Sequence, residues 1–374
     1  MSQNSIQMIS LNLITEPAIK GLIKVVTNSD SLETISLQSS NFTSGTFENF
    51  IGALIASPSP VNKLSLSFNN IGEVEAEHLH TLIQNKTSLQ HLILNCNRLG
   101  PNGAFTLFIA LERNTSVRSL NLYANQIGDT DMSRIAPLLE RNQTIEWIDL
   151  GGNDITHIGI GPIAACLYHN TTLKYLKLGF NQIGNTGAYY MSRMLMVNRT
   201  LLHLDLQSNR LQDYGARMIS DALRQNTVIR SIDLRNNEVS HLGIYCLSKM
   251  LMVNTTLESL NLSFNEATDV SIGKLASALE VNSTLRSLYL TDMRDMTEES
   301  MVRFITSLSR NTGLQMLDIS GNCMSNRVIL QLTLSLRNNT TLRTLRFHNN
   351  WNGANLLQRE LIQLCRTKMI ALVQ

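Results

Sequence analysis

The chain has 374 residues, 43% of them hydrophobic and 16% charged, with a formal net charge of +2. That much apolar material builds a large core and excludes a disordered chain; the near-neutral balance excludes a strongly basic nucleic-acid binder or an acidic tail protein. At roughly 150 residues per domain the length alone suggests two or three domains, no apolar run approaches the ~18 residues of a membrane span, and the first cation, Lys20, comes too late for a standard secretory signal.

Residues 1–29 hold one strand-like run, Ile9, Leu11 and Leu13, and a helix from about Pro17 to Val26. Both are out of phase with the rest of the chain, so 1–29 reads as an N-terminal cap. After Lys63 the segment LSLSFNNIG returns as LILNCNRLG, LNLYANQIG, IDLGGNDIT, LKLGFNQIG, LDLQSNRLQ, IDLRNNEVS and LNLSFNEAT. Its asparagines are Asn69, Asn97, Asn125, Asn153, Asn181, Asn209, Asn237 and Asn265, each 28 residues after the last. Met293 stands where the ninth is due; the series resumes at Asn322 after 29 residues and again at Asn350, and an earlier copy places Ser40 there. A 28-residue period means a solenoid, so residues 30–374 are expected to form one continuous domain of about twelve repeats.

Each period contains two pieces. A short alternating run such as Leu120 and Leu122 reads as a strand with one buried face. An amphipathic run comes next, as in Ala188, Met191, Met194 and Leu195, with one apolar stripe at helical spacing. A glycine at the helix entry (Gly103, Gly159, Gly187, Gly215, Gly243) permits close backbone approach. A second asparagine series, Asn114, Asn142, Asn170, Asn198, Asn226, Asn254 and Asn282, marks the helix exits, where a left-handed residue is expected. These asparagines mostly precede x-Thr or x-Ser, and helix stops explain them better than glycosylation sites do.

Around the irregular copy, LTDMRDMTEES, two readings stand. Asp292 to Asp295 form a protruding contact loop, or Met293 fills a gap while Asp295 supplies the lost polar contacts. From Leu285 onward eleven Lys or Arg face six Asp or Glu, an excess of five positive charges, mostly arginines scattered on helices. A helix from about Leu356 to Cys365 and a strand in KMIALVQ close the chain.

The pattern L-x-x-L-x-L-x-x-N-x-I-G-x-x-G-A and its helix resemble the leucine-rich repeat in its ribonuclease-inhibitor-like class, over about residues 30 to 365. That class also occurs in NOD-like receptors, Ran GTPase-activating proteins and some bacterial effectors. The resemblance implies an α/β solenoid, a horseshoe with a concave parallel sheet and convex helices. It further implies that the motif asparagines form a ladder serving backbone groups in the turn after each strand.

Sites of chemistry are hard to find. Cys96, Cys166, Cys246, Cys323 and Cys365 are odd in number and form no C-x-x-C pair, which fits positions in or near a core in a reducing compartment. Gly159-x-Gly161 lacks the rest of a dinucleotide loop. His78 and His80 point to different faces of a helix, and His91 and His203 lie four strands apart, about 19 Å at roughly 4.8 Å per strand. No catalytic residue, metal or cofactor is expected.

The outward strand residues form columns. The central one reads Ser65, Ile93, Asn121, Asp149, Lys177, Asp205, Asp233, Asn261, Tyr289, Asp318, Arg346. Aromatic residues are only 5% of the chain, yet Tyr123, Trp147, Tyr175 and Phe180 gather beside Asp149, Lys177, His203, Asp205, Asp233 and Arg235. Exposed rings among charges are the composition of a protein-binding hot spot; rings lying flat on the sheet are the structural alternative. The expected function is a non-enzymatic protein–protein interaction scaffold that binds on its concave face, as a monomer without nucleic acid or membrane span. A GTPase-activating regulator of a small GTPase is the alternative, although that branch carries an acidic tail and this C-terminus is basic. The free-standing array, rich in Asn, Ser, Thr and Ile, is similar to leucine-rich repeat effectors of intracellular bacteria such as Legionella. That would make the partner a host protein and the location cytoplasmic, or the host cytosol after secretion.

Overall fold

A computed structural model describes residues 6–322, 324–348 and 356–373, so Cys323 and the motif residue Asn350 lie outside the described residues. The chain divides into two compact units, Met1–Asn181 and Gln182–Gln374.

The first unit alternates β1 (Met8–Asn12), α1 (Glu16–Asn28), β2 (Thr34–Gln38), α2 (Ser44–Ala56), β3 (Lys63–Ser65), α3 (Glu73–Asn85), β4 (His91–Ile93), α4 (Gly100–Leu111), β5 (Ser119–Asn121), α5 (Asp129–Arg141), β6 (Trp147–Asp149), α6 (His157–Cys166) and β7 (Tyr175–Lys177). Each strand pairs in parallel with the next, register Leu64↔Leu92, Leu92↔Leu120, Leu120↔Ile148, Ile148↔Leu176. The second unit continues with α7 (Gly184–Val197), β8 (His203–Asp205), α8 (Gln212–Leu223), β9 (Ser231–Asp233), α9 (His241–Leu251), β10 (Ser259–Asn261), α10 (Asp269–Val281), β11 (Ser287–Tyr289), α11 (Glu298–Ser307), β12 (Met316–Asp318), α12 (Asn326–Asn338), β13 (Thr344–Arg346), α13 (Leu356–Thr367) and β14 (Ala371–Val373). Its strands β8 to β14 are likewise parallel neighbours in chain order. Each unit is a leucine-rich repeat solenoid, strands on one side and helices on the other.

The core arises from the Leu-x-Leu pattern. Leu92 and Leu94, or Leu204 and Leu206, are both buried, with the residue between them left on the open sheet face. The facing helix supplies residues three and four apart, such as Leu79, Leu82 and Ile83 of α3. At the N-terminus Ile9 enters this core opposite Ile35, but Leu11 and Leu13 are exposed.

A three-residue strand ends because the chain then turns through a left-handed residue. Phe68, Cys96, Ala124, Gly152, Phe180, Ser208, Asn236 and Phe264 all have positive φ. The motif asparagine next in sequence is buried and bridges repeats. In the first unit Oδ1 of Asn97 accepts the N–H of Asn69 at 2.8 Å and of Ile71 at 3.0 Å, while its Nδ2 donates to the carbonyls of Leu66 and Leu94. Asn153 and Asn181 serve Asn125 and Asn153 in the same way, as Asn237 and Asn265 serve Asn209 and Asn237 in the second unit. The Oδ1 of Asn125 is buried and has no partner among the described residues.

The second asparagine series does not take the left-handed conformation expected at helix exits. None of its seven members has positive φ, and Asn142, Asn198 and Asn282 are extended. They stand there for their amides. Asn142 donates Nδ2 to the carbonyl of Leu111, 31 residues back, and accepts the N–H groups of Thr144 and Ile145 at 2.9 and 2.8 Å. Asn254 does the same with Leu223, Thr256 and Leu257. Burial and this bonding, not left-handed tolerance, fix the residue type at helix exits.

At helix entries a carboxylate from one helix caps the next. Asp213 of α8 accepts the N–H and Oγ–H of Ser240 at 2.7 and 2.6 Å and the N–H of Gly243 at 2.9 Å. A Cβ at Gly243 would stand 2.8 Å from that carboxylate and 3.0 Å from the Cβ of Ala216, so only glycine fits. Asp129 caps α6 at Thr156 and Gly159 alike.

The irregular repeat also departs from expectation. Asp295 is exposed and does not replace the missing asparagine. The backbone of Arg294 takes over one of its contacts, accepting the N–H of Ala267 at 2.8 Å, and also donates to the carbonyl of Asn265 at 2.9 Å. Met293 is buried, and its own N–H reaches Oδ1 of Asn322.

Candidate functional site

The open sheet face of the first unit carries the rings. Trp147 and Tyr175 are register partners on β6 and β7, as are Asp149 and Lys177. The Lys177 ammonium lies 5.5 Å from the Trp147 ring centroid, a cation–π contact. Tyr123 is half-buried and lies against glycines: a Cβ on Gly151 would come within 2.8 Å of its ring. Gly151 therefore makes room for this ring, and so does Gly152, where a Cβ would come within 3.3 Å of it. Phe180 meets it edge-on, centroids 6.3 Å apart at 89°. Phe180 is 51% exposed at the left-handed turn position, φ 58°. Phe68 and Phe264, 52% and 47% exposed, hold the same position in other repeats, but Ala, Ser, Cys, Asn and Gly occur there too, so a ring is not what the turn requires. Phe180, Tyr175 and Lys177 are thus exposed, while Tyr123 and Trp147 are half-covered.

Asp149 is different. It is 8% exposed, and its Oδ1 accepts the N–H of Gly151 at 2.9 Å. The same Asx bond recurs from Asn121 to Tyr123, Asp205 to Gln207, Asp233 to Arg235, Asn261 to Ser263 and Asp318 to Ser320. One oxygen of each central-column Asp or Asn therefore closes the strand end. That recurring Asp/Asn column was visible in the sequence, but its structural use was not read from it.

In the second unit the open face carries a polar network. Asp205 and Asp233 are register partners. Gln207 donates Nε2 to Oδ2 of Asp205 at 2.9 Å and accepts from the Arg235 guanidinium. Asn261 donates to Oδ2 of Asp233 at 3.0 Å, and Arg235 stands 3.6 Å from the same oxygen. Burial pushes the Asp233 carboxyl up to about 6; the Arg235 N–H opposes this, the Asp205 charge adds to it, and the Arg235 charge opposes it. His203, half-buried on β8, has its pKa lowered by burial, against the upward pull of Glu258.

Among the described residues no three or more His, Cys, Asp or Glu are grouped to hold a metal ion, and no helix is long and apolar enough to cross a membrane. Burial pushes the Cys166 thiol up to about 12, aided by Glu140, and Cys365 up to about 11. Much of the C-terminal excess of arginine is engaged in surface pairs, Arg294–Glu266, Arg310–Glu280, Arg327–Glu299 and Arg337–Glu360. The sheet face does not hold all the exposed rings, however. Tyr189, Tyr190 and Tyr214 are exposed on α7 and α8, and Tyr245 is half-exposed on α9. Reading the strands alone missed them; aligning helix residues 28 apart would have found them.

The family described as the TMOD/LMOD leucine-rich domain matches residues 70–209, and a leucine-rich repeat family matches residues 253–276. Among curated proteins no sequence matches the chain. Among solved structures the chain is similar to an internalin from Listeria monocytogenes, with 19% identity, a TM-score of 0.51, and 99% of this chain and 87% of that one covered. Actin-binding site 2 of leiomodin-1 aligns at 18% identity and a TM-score of 0.33, covering 49% of this chain and 88% of that one. The C-terminal domain of a Caenorhabditis elegans tropomodulin aligns at 16% and 0.36, covering 41% and 92%. Strand register, asparagine bonding, the two family matches and the internalin-like fold agree that the chain is built of leucine-rich repeats.

Proposed function

We propose that this chain is a non-enzymatic protein-binding scaffold of the ribonuclease-inhibitor-like class, and that it takes a partner protein on its open sheet face. The observation that carries this reading is Phe180, half-exposed at a turn that needs no ring, beside exposed Tyr175 and Lys177. Rings with two rotatable bonds lose little entropy on contact, and aromatic anchors beside cations dominate binding energies at interfaces. The polar network of Asp205, Gln207, Asp233 and Arg235 supplies fixed, directional groups that discriminate between partners. The composition shared with effectors of intracellular bacteria supports the finer reading that the partner is a host protein.

The test is capture from eukaryotic lysate by the wild-type chain and by Trp147→Ala/Tyr175→Ala. The double variant is expected to keep its circular dichroism and melting transition but to lose the captured protein. Unchanged capture overturns the reading. Stimulated GTP hydrolysis on addition to a panel of small GTPases would replace it with a regulatory activity.

A further inference from the structure

On the helix side of the second unit, α8 and α9 enclose an open groove of about 530 Å³. Tyr214 and Leu242, exposed by 53% and 58%, and Tyr245 form its apolar walls, and Cys246 lines it between them. The scaffold does not demand this cluster. Positions 28 apart read Thr186, Tyr214, Leu242, Val270 and Tyr189, Arg217, Tyr245, Gly273, so these sites vary freely along the array.

The charges in the groove are unequal in availability. Asp213 is committed to the α9 N-terminus through Ser240 and Gly243. Asp221 stands 3.8 Å from Arg217. Lys249 lies 4.6 Å from the Tyr245 ring centroid, and neither it nor Arg224 forms an ion pair among the described residues. Both anions are thus engaged, while Arg224 and Lys249, the latter over the Tyr245 ring, have no carboxylate partner among the described residues. From Tyr214 to Arg224 the trough runs about 15 Å at roughly 1.5 Å per residue.

We infer that the α8–α9 groove is a second docking surface, fitted to an acidic segment of a partner protein. An aliphatic or aromatic side chain of that segment seats among Tyr214, Leu242 and Tyr245, and its carboxylates face Arg224 and Lys249. A basic segment would meet uncompensated like charge, and a neutral apolar one would leave both cations unused.

The probe is a phage-displayed random dodecapeptide library panned on the full chain, counter-selected on Arg224→Glu/Lys249→Glu. All the substituted residues are surface residues, and unchanged melting transitions confirm folding. Enriched peptides are expected to combine Asp or Glu with a large apolar residue. A fluorescein-labelled consensus peptide should bind wild type at least about tenfold more tightly than the charge-reversed variant and than Tyr214→Ala/Leu242→Ser, and should weaken with salt. It should bind Trp147→Ala/Tyr175→Ala as it binds wild type, which separates this site from the sheet face. Absence of an enriched family, enrichment of basic peptides, or affinity lost only in the Trp147/Tyr175 variant overturns the inference.

Discussion

The main-chain N–H of Asn209 donates to Oδ1 of Asn237 at 2.9 Å, and the same oxygen takes the N–H of Leu211 at 3.3 Å. The other end of the Asn237 amide donates to the carbonyl of Leu206 at 2.8 Å. One fully buried side chain thus satisfies three main-chain groups of the preceding repeat. Each buried group left unsatisfied costs about 1–3 kcal/mol. The Leu206 carbonyl keeps a bond from Asn209 Nδ2 at 3.1 Å, so Asn237→Ala orphans two N–H groups and is expected to lose at least about 2 kcal/mol in urea denaturation; a loss under about 1 kcal/mol would show that water fills the site.

The helix-exit asparagines make a parallel case. Asn254 is 5% exposed, and its amide joins the Leu223 carbonyl to the Thr256 and Leu257 N–H groups. Asn85, by contrast, is exposed at the end of α3 and donates to the Thr81 carbonyl. Asn254→Ala is expected to cost more than about 2 kcal/mol and Asn85→Ala less than about 0.5 kcal/mol. Equal costs would mean that the exit bonds contribute no more than a surface contact.

What the sequence made legible was whatever repeats. Leucines and asparagines at a fixed spacing answer needs present in every copy, so strand columns and register could be had by counting; Trp147 faces Tyr175 and Asp205 faces Asp233. Local conformation was less legible. Asn142 was expected to be left-handed because asparagine tolerates that region, but its amide has three backbone partners and its φ is −71°. Likewise an outward position did not mean a free carboxylate, since Oδ1 of Asp149 turns back to Gly151. The α8–α9 groove escaped notice because its residues do not recur.

Gly151 connects scaffold and candidate site. A Cβ there would stand 2.8 Å from the Tyr123 ring and 2.9 Å from the Gly179 carbonyl, a main-chain atom with little freedom to yield. Gly151→Ala is expected to displace the ring from Phe180, to cost about 1–3 kcal/mol by overpacking and to weaken partner capture. Gly52→Ala in α2 is the control: its Cβ meets nothing within 4 Å, so a gain of about 0.5–1 kcal/mol from helix propensity is expected. Wild-type stability and capture in Gly151→Ala would show that the ring does not need this bed.

Consensus reasoning would restore the asparagine at Met293 and expect a gain. The structure argues the reverse. The Ala267 N–H, which an asparagine would serve, is already held by the Arg294 carbonyl. Met293 is 6% exposed and Met296 8%, so this turn is packed with apolar side chains. Met293→Asn would bury an amide at a turn where the Ala267 N–H is already taken and only the Asn265 N–H would be left for it, and is expected to cost about 1–3 kcal/mol. A stabilised variant would mean that the one-residue insertion can revert to the regular turn.

Asp233 gives the open face of the second unit a pH response with a definite sign. Its pKa rises from an ordinary 3.8 to about 6, chiefly through burial and also through Asp205, while the Arg235 N–H and charge and the Asn261 hydrogen bond oppose the rise. Between those values the folded chain retains a proton that the unfolded chain has released. Stability from this group is therefore greatest below pH ~4 and falls as pH rises through about 6, above which the loss is constant. Asp233→Asn can still accept the Arg235 N–H and carries no charge at any pH. Its stability relative to wild type is expected to improve steadily from pH 4 to 6.5 and then level off. Denaturation midpoints of both proteins across that range measure the difference, in which groups common to the two cancel; a difference independent of pH would mean that Asp233 titrates alike in the folded and unfolded chains.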